Sequence, residues 1–485
     1  MTGFLLVVGL LLGLAVLGFW IFPDISRWIL VLLVSRSFYR VRAKGAANIP
    51  RRGPALLFGN HTSFMDALWI LSLRPRKVRF LVAREYMEDR GKILRWILMF
   101  SGAIPIHEKD DPKRLARSLL VARKALLEGG VVGVFPEGRF TRTGHLHPFK
   151  HGLESIIRGT DAAVVPFFIE GGFRTRAGLG LNGKPVLFHP SDLLRRIYLW
   201  VGEPIESTES GFVSKAEAEV QRGAVEAARF RINSDGKVRE KAIRRVQRRL
   251  SGGKNPAAIR DLSDRMIAQV NGLEVVARLS RKDGVFGAFP SDDPLGQLVN
   301  FWLPAVTRCR SIYSELPTDG DFDDQVLKKA RPTILFGEAA FFEMLVQKIL
   351  PESLGSVRLA FLFGGADSEM RALFSEKFGV SLLDGFFSQD SKVLVSLNVP
   401  DADLDGFCQT GSVSGTVGRP LPNGRVRIFD DRSRNELGDN RPGLIEIQGP
   451  AVDRGGVEGG SDQGEWCRLP ERGRIDEEGF LTLFS

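Results

Sequence analysis

Three cysteines in 485 residues, Cys309, Cys408 and Cys467, are too few and too far apart to form a disulfide framework or a metal-ligand spacing. That scarcity fits exposure to a reducing cytoplasm. Charge is missing altogether from residues 1–23, and no Lys or Arg precedes Arg27. Residues 4–22 are apolar or glycine throughout, long enough to span a bilayer. There is no positive leader and no small-x-small cleavage site before Asp24, which argues against a cleaved signal peptide. The expectation is an N-terminal transmembrane helix within a membrane anchor of residues 1–34. Arg27, Arg36, Arg40, Arg42 and Lys44 follow, so the positive-inside rule puts the rest of the chain on the cytoplasmic face of the cytoplasmic membrane. Acidic residues are also in deficit: 67 Lys and Arg against 57 Asp and Glu give a net charge of +10 and imply an anionic partner. Nucleic acid, an anionic membrane surface and an acidic carrier protein all qualify. Zinc-finger spacings and aromatic-interleaved RNA motifs are absent, so no nucleic acid is expected.

What is present is an alternation of short apolar runs with amphipathic helices, over a length that suggests two or more domains. Residues 54–58 read as a buried strand and residues 67–71 as the start of a helix. Between them stands Gly59-Asn60-His61-Thr62-Ser63-Phe64-Met65-Asp66. On one continuous helix His61 and Asp66 would face apart. They meet if His61 is still in the loop and Asp66 is in the first turn. Asp66 then holds one ring nitrogen and leaves the other as a base. Taken alone, the pair is also what a loop histidine beside a helix-capping acid looks like. Further on, residues 112–128 carry an apolar stripe (Leu115, Leu119, Ala122, Leu126) and are closed by Gly129-Gly130. Residues 131–135 form the next buried strand, and Pro136-Glu137-Gly138 sits at its carboxyl end. Ligands bind outside the carboxyl ends of strands in open α/β sheets, so the two stretches belong at one crevice. Arg74, Arg76, Lys77 and Arg79 form either a headgroup-binding patch or a solvated face. Residues 91–100 read as a helix packing on, or dipping into, lipid. His145, His147 and His151 lack acidic partners at metal spacing and read as a basic loop; no metal is expected.

Four blocks in order, His61-x4-Asp66, Gly102-Ala103-Ile104-Pro105-Ile106, Phe135-Pro136-Glu137-Gly138-Arg139-Phe140-Thr141-Arg142-Thr143-Gly144 and Val164-Val165-Pro166-Phe167, resemble the motifs of the glycerolipid acyltransferase family. Within it, the third block is most similar to the acyltransferase half of the bifunctional 2-acylglycerophosphoethanolamine acyltransferase/acyl-acyl-carrier-protein synthetases. The resemblance implies an α/β acyltransferase domain over residues 35–230. It makes His61 and Asp66 catalytic and gives acceptor binding to Glu137, Gly138, Arg139, Thr141 and Arg142, with Glu137 on the glycerol part. Two departures stand out. Phe140 occupies a position where many relatives have Arg, so Arg139 and Arg142 both compete for the phosphate. The second block carries Glu108 and then Lys109 where relatives have Arg, so Lys109 is the compensating cation.

Residues 231–255 are rich in Lys and Arg and read as a basic linker. Beyond it, Arg331-Pro332-Thr333-Ile334-Leu335-Phe336-Gly337, residues 359–366 and Gly473-Arg474-Ile475-Asp476 resemble the AMP-forming acyl-adenylate synthetases. This implies a second α/β domain over residues 256–485, like a truncated adenylate-forming enzyme. Its nucleotide chemistry is not carried over. A triphosphate needs a Gly-rich loop and a cation. Ala257 and Ala258 stand where that family has Lys-Gly, Phe386-Phe387-Ser388-Gln389-Asp390 replaces its Tyr-Gly-x-Thr-Glu, and Leu469-Pro470-Glu471 replaces its Thr-Gly-Asp.

The expected reaction is acyl transfer from acyl-coenzyme A or acyl-acyl carrier protein, as co-substrate without other cofactor, to the hydroxyl of a lysophospholipid such as lysophosphatidate or lysophosphatidylethanolamine. Oxyanion donors come either from residues 102–106 or from the helix start after Asn60. The competing readings are a non-catalytic membrane scaffold and a bifunctional enzyme that also adenylates fatty acid.

Overall fold

The computed structural model describes residues 23–84, 102–106, 112–141, 143–174, 193–206, 212–250, 256–312, 324–404, 407–422, 424–433, 435–452 and 466–484. The chain divides into two compact units, Met1–Thr141 with Leu146–Ala227, and Arg142–His145 with Ala228–Ser485.

The first unit is built on seven strands: β1 (Tyr39–Lys44), β2 (Ala55–Gly59), β3 (Val78–Ala83), β4 (Ile104–Ile106), β5 (Val131–Val134), β6 (Ala163–Glu170) and β7 (Arg195–Val201). Their order in the sheet is β1-β7-β6-β2-β5-β3-β4. All neighbours run parallel except β6 and β7. β2 and β5 are apolar along their whole length and wholly buried, as strands covered on both faces must be. Helices α1 (Pro23–Phe38), α2 (Asp66–Leu71), α3 (Pro112–Leu127), α4 (Gly152–Ile157) and the first part of α5 (Phe212–Leu250) complete the unit. One core cluster joins Leu56, Phe58, Val132 and Val134 to Leu126, Leu153 and Val220. A second, on the other sheet face, joins Leu57, Val131 and Val165 to Trp69 and Ile70.

The expected N-terminal transmembrane helix falls on residues outside those described. Among the described residues no helix is long and apolar enough to cross a membrane. α1 has 16 residues, with Asp24 in its first turn and Arg36 in its last. At 1.5 Å per residue it reaches about 24 Å, short of the ~30 Å hydrocarbon layer. The transmembrane helix of the expected fold and the cytoplasmic-membrane localisation drawn from it are corrected accordingly: among the described residues they have no spanning element. α1 packs on the domain through Trp28, whose Nε1 donates to Ser72 O at 3.0 Å and ties α1 to the end of α2. The basic stretch after α2 is likewise neither a patch nor a bare solvated face. Arg74 Nε donates to Ala46 O, Arg76 to Pro50 O and Gly53 O, and Arg79 Nε to Gly102 O, so three guanidinium groups clip backbone carbonyls from other loops. The expected lipid-facing helix over residues 91–100 lies outside the described residues.

In the second unit α6 (Pro256–Val276) precedes a sheet of order β16-β13-β12-β11-β10-β8-β9. Its strands are β8 (Gly284–Gly287), β9 (Arg310–Ile312), β10 (Ile334–Glu338), β11 (Leu359–Phe363), β12 (Leu382–Ser388), β13 (Val393–Leu397) and β16 (Arg419–Pro420). Helices α7 (Ala339–Lys348) and α8 (Ser368–Phe378) are the crossovers that parallel pairing of β10, β11 and β12 requires. β14 (Ala402–Leu404) and β15 (Phe407–Gln409) pair antiparallel, and a separate antiparallel sheet holds β17 (Arg425–Phe429), β18 (Gly443–Gln448), β19 (Cys467–Ile475) and β20 (Leu481–Phe484). The expectation of two α/β domains matches these two units.

Candidate active site

β2 ends at Gly59, where a Cβ would lie 2.2 Å from Phe167 O on β6; only glycine lets the neighbouring strand approach that closely. Asn60 then closes the strand end. Its Nδ2 donates to Ile169 O at 3.0 Å, and its Oδ1 accepts from Ile169 N at 2.7 Å. The loop His61–Met65 leads into α2, whose first residue is Asp66.

Asp66 is fully buried, and its carboxylate collects donors from the loop that precedes it. Oδ2 accepts from the N–H of Thr62 and, at 2.9 Å, that of Ser63; Oδ1 accepts from Thr62 Oγ1 at 2.9 Å. Oδ2 also meets His61 Nδ1 at 2.8 Å. The loop is thus wrapped around one carboxylate, and the imidazole is oriented by it, with Nε2 as the ring nitrogen left for chemistry. The ring is 17 % exposed. It stacks on Phe135 at 3.9 Å between centroids and leans on Phe140 at 4.0 Å.

Phe135 and Phe140 bracket the second loop, which leaves β5, the parallel neighbour of β2. Both loops therefore emerge at the same, carboxyl-terminal end of the sheet. Thr141 N donates to His61 O at 2.9 Å, and His61 N donates to Glu137 Oε1 at 2.6 Å. Glu137 Oε2 accepts from His147 N at 2.8 Å, and the residue is 1 % exposed. Burial pushes the Glu137 carboxyl up to about 8; the two backbone N–H groups oppose this, while the charges of Asp66 and Glu217 add to it. A carboxyl raised on folding takes up protons, so its contribution to stability is complete below its ordinary value near 4.5 and is lost as pH rises through 8. The unfolding midpoint should fall across that window, by a stability change on the order of a few kcal/mol, and the slope should flatten in Glu137→Gln; thermal unfolding from pH 5 to 9 measures it.

Gly138 has φ +72°, and a Cβ there would lie 2.8 Å from Lys150 Cε and 2.9 Å from Lys150 Nζ. The missing side chain lets Lys150 lie across the loop. Arg139 is half-buried and Thr141 buried. The geometry thus gathers His61, Asp66, Glu137, Gly138 and Thr141, with Arg139 on the same loop. Arg142 and Lys109 lie outside the described residues. The second block lies on β4, separated from β2 by β5 and β3.

Sequence reasoning passed over three groups here. Phe135 and Phe140 were part of a motif but given no task, although an aromatic placed just before Pro136 at a strand end signals packing on whatever the neighbouring strand presents. Lys150 stands outside the four blocks; its backbone N donates to Pro136 O, which carries it back to the loop. His145 and His147 are buried, at 4 % and 2 % exposure, and do not form the basic surface loop expected of them. In the second unit Phe386, Phe387 and Ser388 are buried along β12, and Asp390 is exposed in the turn that follows. Leu469 is buried in β19, and the Glu471 carboxyl is raised first by burial and then by the Asp390 charge.

A mostly parallel sheet thus carries a His–Asp pair at one strand end, braced by a Phe-Pro-Glu-Gly loop from the next strand. The chain carries an Acyltransferase-family domain over residues 40–170 and an AMP-binding enzyme domain over residues 264–455. Over 135 residues it is 30% identical to the chloroplastic 1-acyl-sn-glycerol-3-phosphate acyltransferase LPAT1 of Arabidopsis thaliana, covering 28% of this chain and 37% of that protein. Over 127 residues it is 25% identical to the 1-acyl-sn-glycerol-3-phosphate acyltransferase of Borreliella burgdorferi, covering 26% of this chain and 50% of that protein. The chain thus spans half or less of the length of these curated relatives. Among solved structures it resembles o-succinylbenzoate coenzyme A synthetase of Bacillus subtilis in complex with AMP, at 17% identity and a TM-score of 0.37, covering 45% of this chain and 44% of that one.

Proposed function

We propose that this protein transfers an acyl group from an acyl thioester to the hydroxyl of a lysophospholipid. The observation that carries this reading is the 2.8 Å contact between His61 Nδ1 and the fully buried Asp66, at the mouth of two parallel strands. A hydroxyl is a weak nucleophile at neutral pH. His61 Nε2 removes its proton as the oxygen attacks the thioester carbonyl. The tetrahedral intermediate collapses by breaking the C–S bond, and the imidazolium returns the proton to the departing sulfur. No enzyme nucleophile is required: Ser63 sits two residues from His61, and its N–H is engaged by Asp66.

The acceptor's phosphate meets the loop after β5. Gly138 allows close backbone approach, Arg139 offers a forked donor, and the Lys150 ammonium lies across the glycine; Arg142 and Lys109 are the further cations of the two motifs. The second unit contributes no adenylation in this reading, because the residues at its nucleotide blocks do not supply the required donors.

The test is purified protein offered labelled acyl-coenzyme A and acyl-acyl carrier protein, each with lysophosphatidate and lysophosphatidylethanolamine. Transfer to at least one pair is expected, and the preferred pair fixes donor and headgroup. No transfer with any pair from folded protein overturns the reading. In the same assay Arg139→Ala and Lys150→Ala should each raise the acceptor KM by about tenfold, the size of one charge-assisted contact, and leave the donor KM alone.

A further inference from the structure

The family resemblance gives Glu137 to the glycerol part of the acceptor, and the geometry gives it another task. A carboxylate that binds substrate must present an oxygen to it. Glu137 is turned away from solvent and already engaged at both oxygens: it is 1 % exposed, Oε1 accepts the N–H of His61 at 2.6 Å and Oε2 accepts the N–H of His147 at 2.8 Å. These two amides belong to different loops, one leaving β2 and one ten residues downstream of Glu137 itself. The carboxyl group therefore stitches the two strand-end loops together underneath the site.

We propose that Glu137 is a positioning residue that binds no substrate and acts on the reaction through the backbone of His61. The peptide groups on both sides of the His61 Cα are pinned by the loop from β5, the N–H by Glu137 and the carbonyl by Thr141 N at 2.9 Å. The side chain is pinned separately by Asp66 at Nδ1 and by the Phe135 ring. Four restraints on one residue fix the direction of Nε2, and a base must be within hydrogen-bond reach of the proton it takes. Gly138 directly follows Glu137 because the chain must turn with positive φ there, carrying the carboxylate inward and the next residues outward. On this account the motif separates its tasks: Glu137 faces the protein, while Gly138 and Arg139 face the acceptor.

The inference rests on the reading of His61 as the base, and the test keeps the two apart. Glu137→Gln is isosteric but supplies only one acceptor oxygen, so one of the two amides loses its partner. Steady-state kinetics with lysophosphatidate as the varied acceptor should show kcat lowered by about tenfold or more, with the KM of acceptor and donor unchanged within about twofold. A rise of tenfold or more in acceptor KM at unchanged kcat would return Glu137 to the substrate and overturn the proposal. His61→Ala measured alongside reports on the base reading alone: activity retained there removes His61 as the base, whatever Glu137 does. If Glu137→Gln does not fold, the wild-type protein decides. Backbone amide exchange at His61 and His147 should be slow both without ligand and with saturating lysophosphatidate. Loss of protection at either amide on adding lysophosphatidate would mean the carboxylate turns to the ligand, and the proposal fails.

Discussion

His61→Ala should reduce kcat by about 10²–10⁴-fold, the range supplied by a positioned general base, with the unfolding midpoint almost unmoved. The two halves of this expectation come from different atoms. The rate depends on Nε2, which alanine removes. The fold depends on the backbone of residue 61, which alanine keeps: its N–H still reaches Glu137 Oε1 and its carbonyl still accepts from Thr141. What is lost structurally is the ring and its one contact to Asp66 Oδ2, about 1 kcal/mol, while Thr62 and Ser63 still donate to Asp66 and Phe135 keeps its contacts with Phe80 and Phe167. Single-turnover transfer together with thermal unfolding measures both halves. A variant that folds like the parent and transfers at the parental rate would remove His61 from the mechanism.

The separation of backbone and ring also explains which parts of the site were legible in the sequence. The strands before His61 and after Gly130 are short, wholly apolar runs, and a run that must be buried on both faces leaves few alternatives. The loop-to-helix placement that lets His61 and Asp66 meet was one of two readings, and the Thr62 and Ser63 amides on Asp66 now realise it. Glu137 was legible as a residue of the motif but not as a brace, because its partners are backbone amides and amides have no sequence signature. Lys150 was hidden for a related reason: its relation to Gly138 comes from a return of the chain over twelve residues. The arginines after α2 show the same limit. Their composition suggested either a headgroup-binding patch or a solvated face, yet a guanidinium satisfied by a carbonyl and one facing a phosphate are spelled alike. The N-terminal apolar run gave the opposite error. Its length matched a bilayer, whereas among the described residues no helix is long and apolar enough to cross a membrane.

Asp66→Asn and Asp66→Ala should part company, and the difference measures what the carboxylate does. In the asparagine variant the amide must orient its oxygen where Oδ2 now sits, because the Thr62 and Ser63 N–H groups and His61 Nδ1 converge there. Its NH₂ then faces Thr62 Oγ1, which is able to accept. The loop, the ring orientation and the tautomer survive, so stability should change by no more than about 1 kcal/mol, the scale of one hydrogen bond. The negative charge that stabilises the imidazolium as the proton arrives is gone, and kcat should fall by about 10²–10³-fold, as for loss of a preorganised electrostatic partner. In the alanine variant all four acceptor contacts disappear from a fully buried position. Each stranded donor costs about 1–3 kcal/mol, enough to loosen the loop and the start of α2 together. Activity should then fall at least as far as in the asparagine variant, with a clear drop in unfolding midpoint and faster amide exchange at Thr62 and Ser63. Parental kcat in Asp66→Asn would mean that the aspartate only builds the loop. An equal loss of stability in both variants would mean that the fold needs its charge. The expected pattern, rate lost in both and stability lost in one, assigns the charge to the chemistry and the oxygens to the architecture.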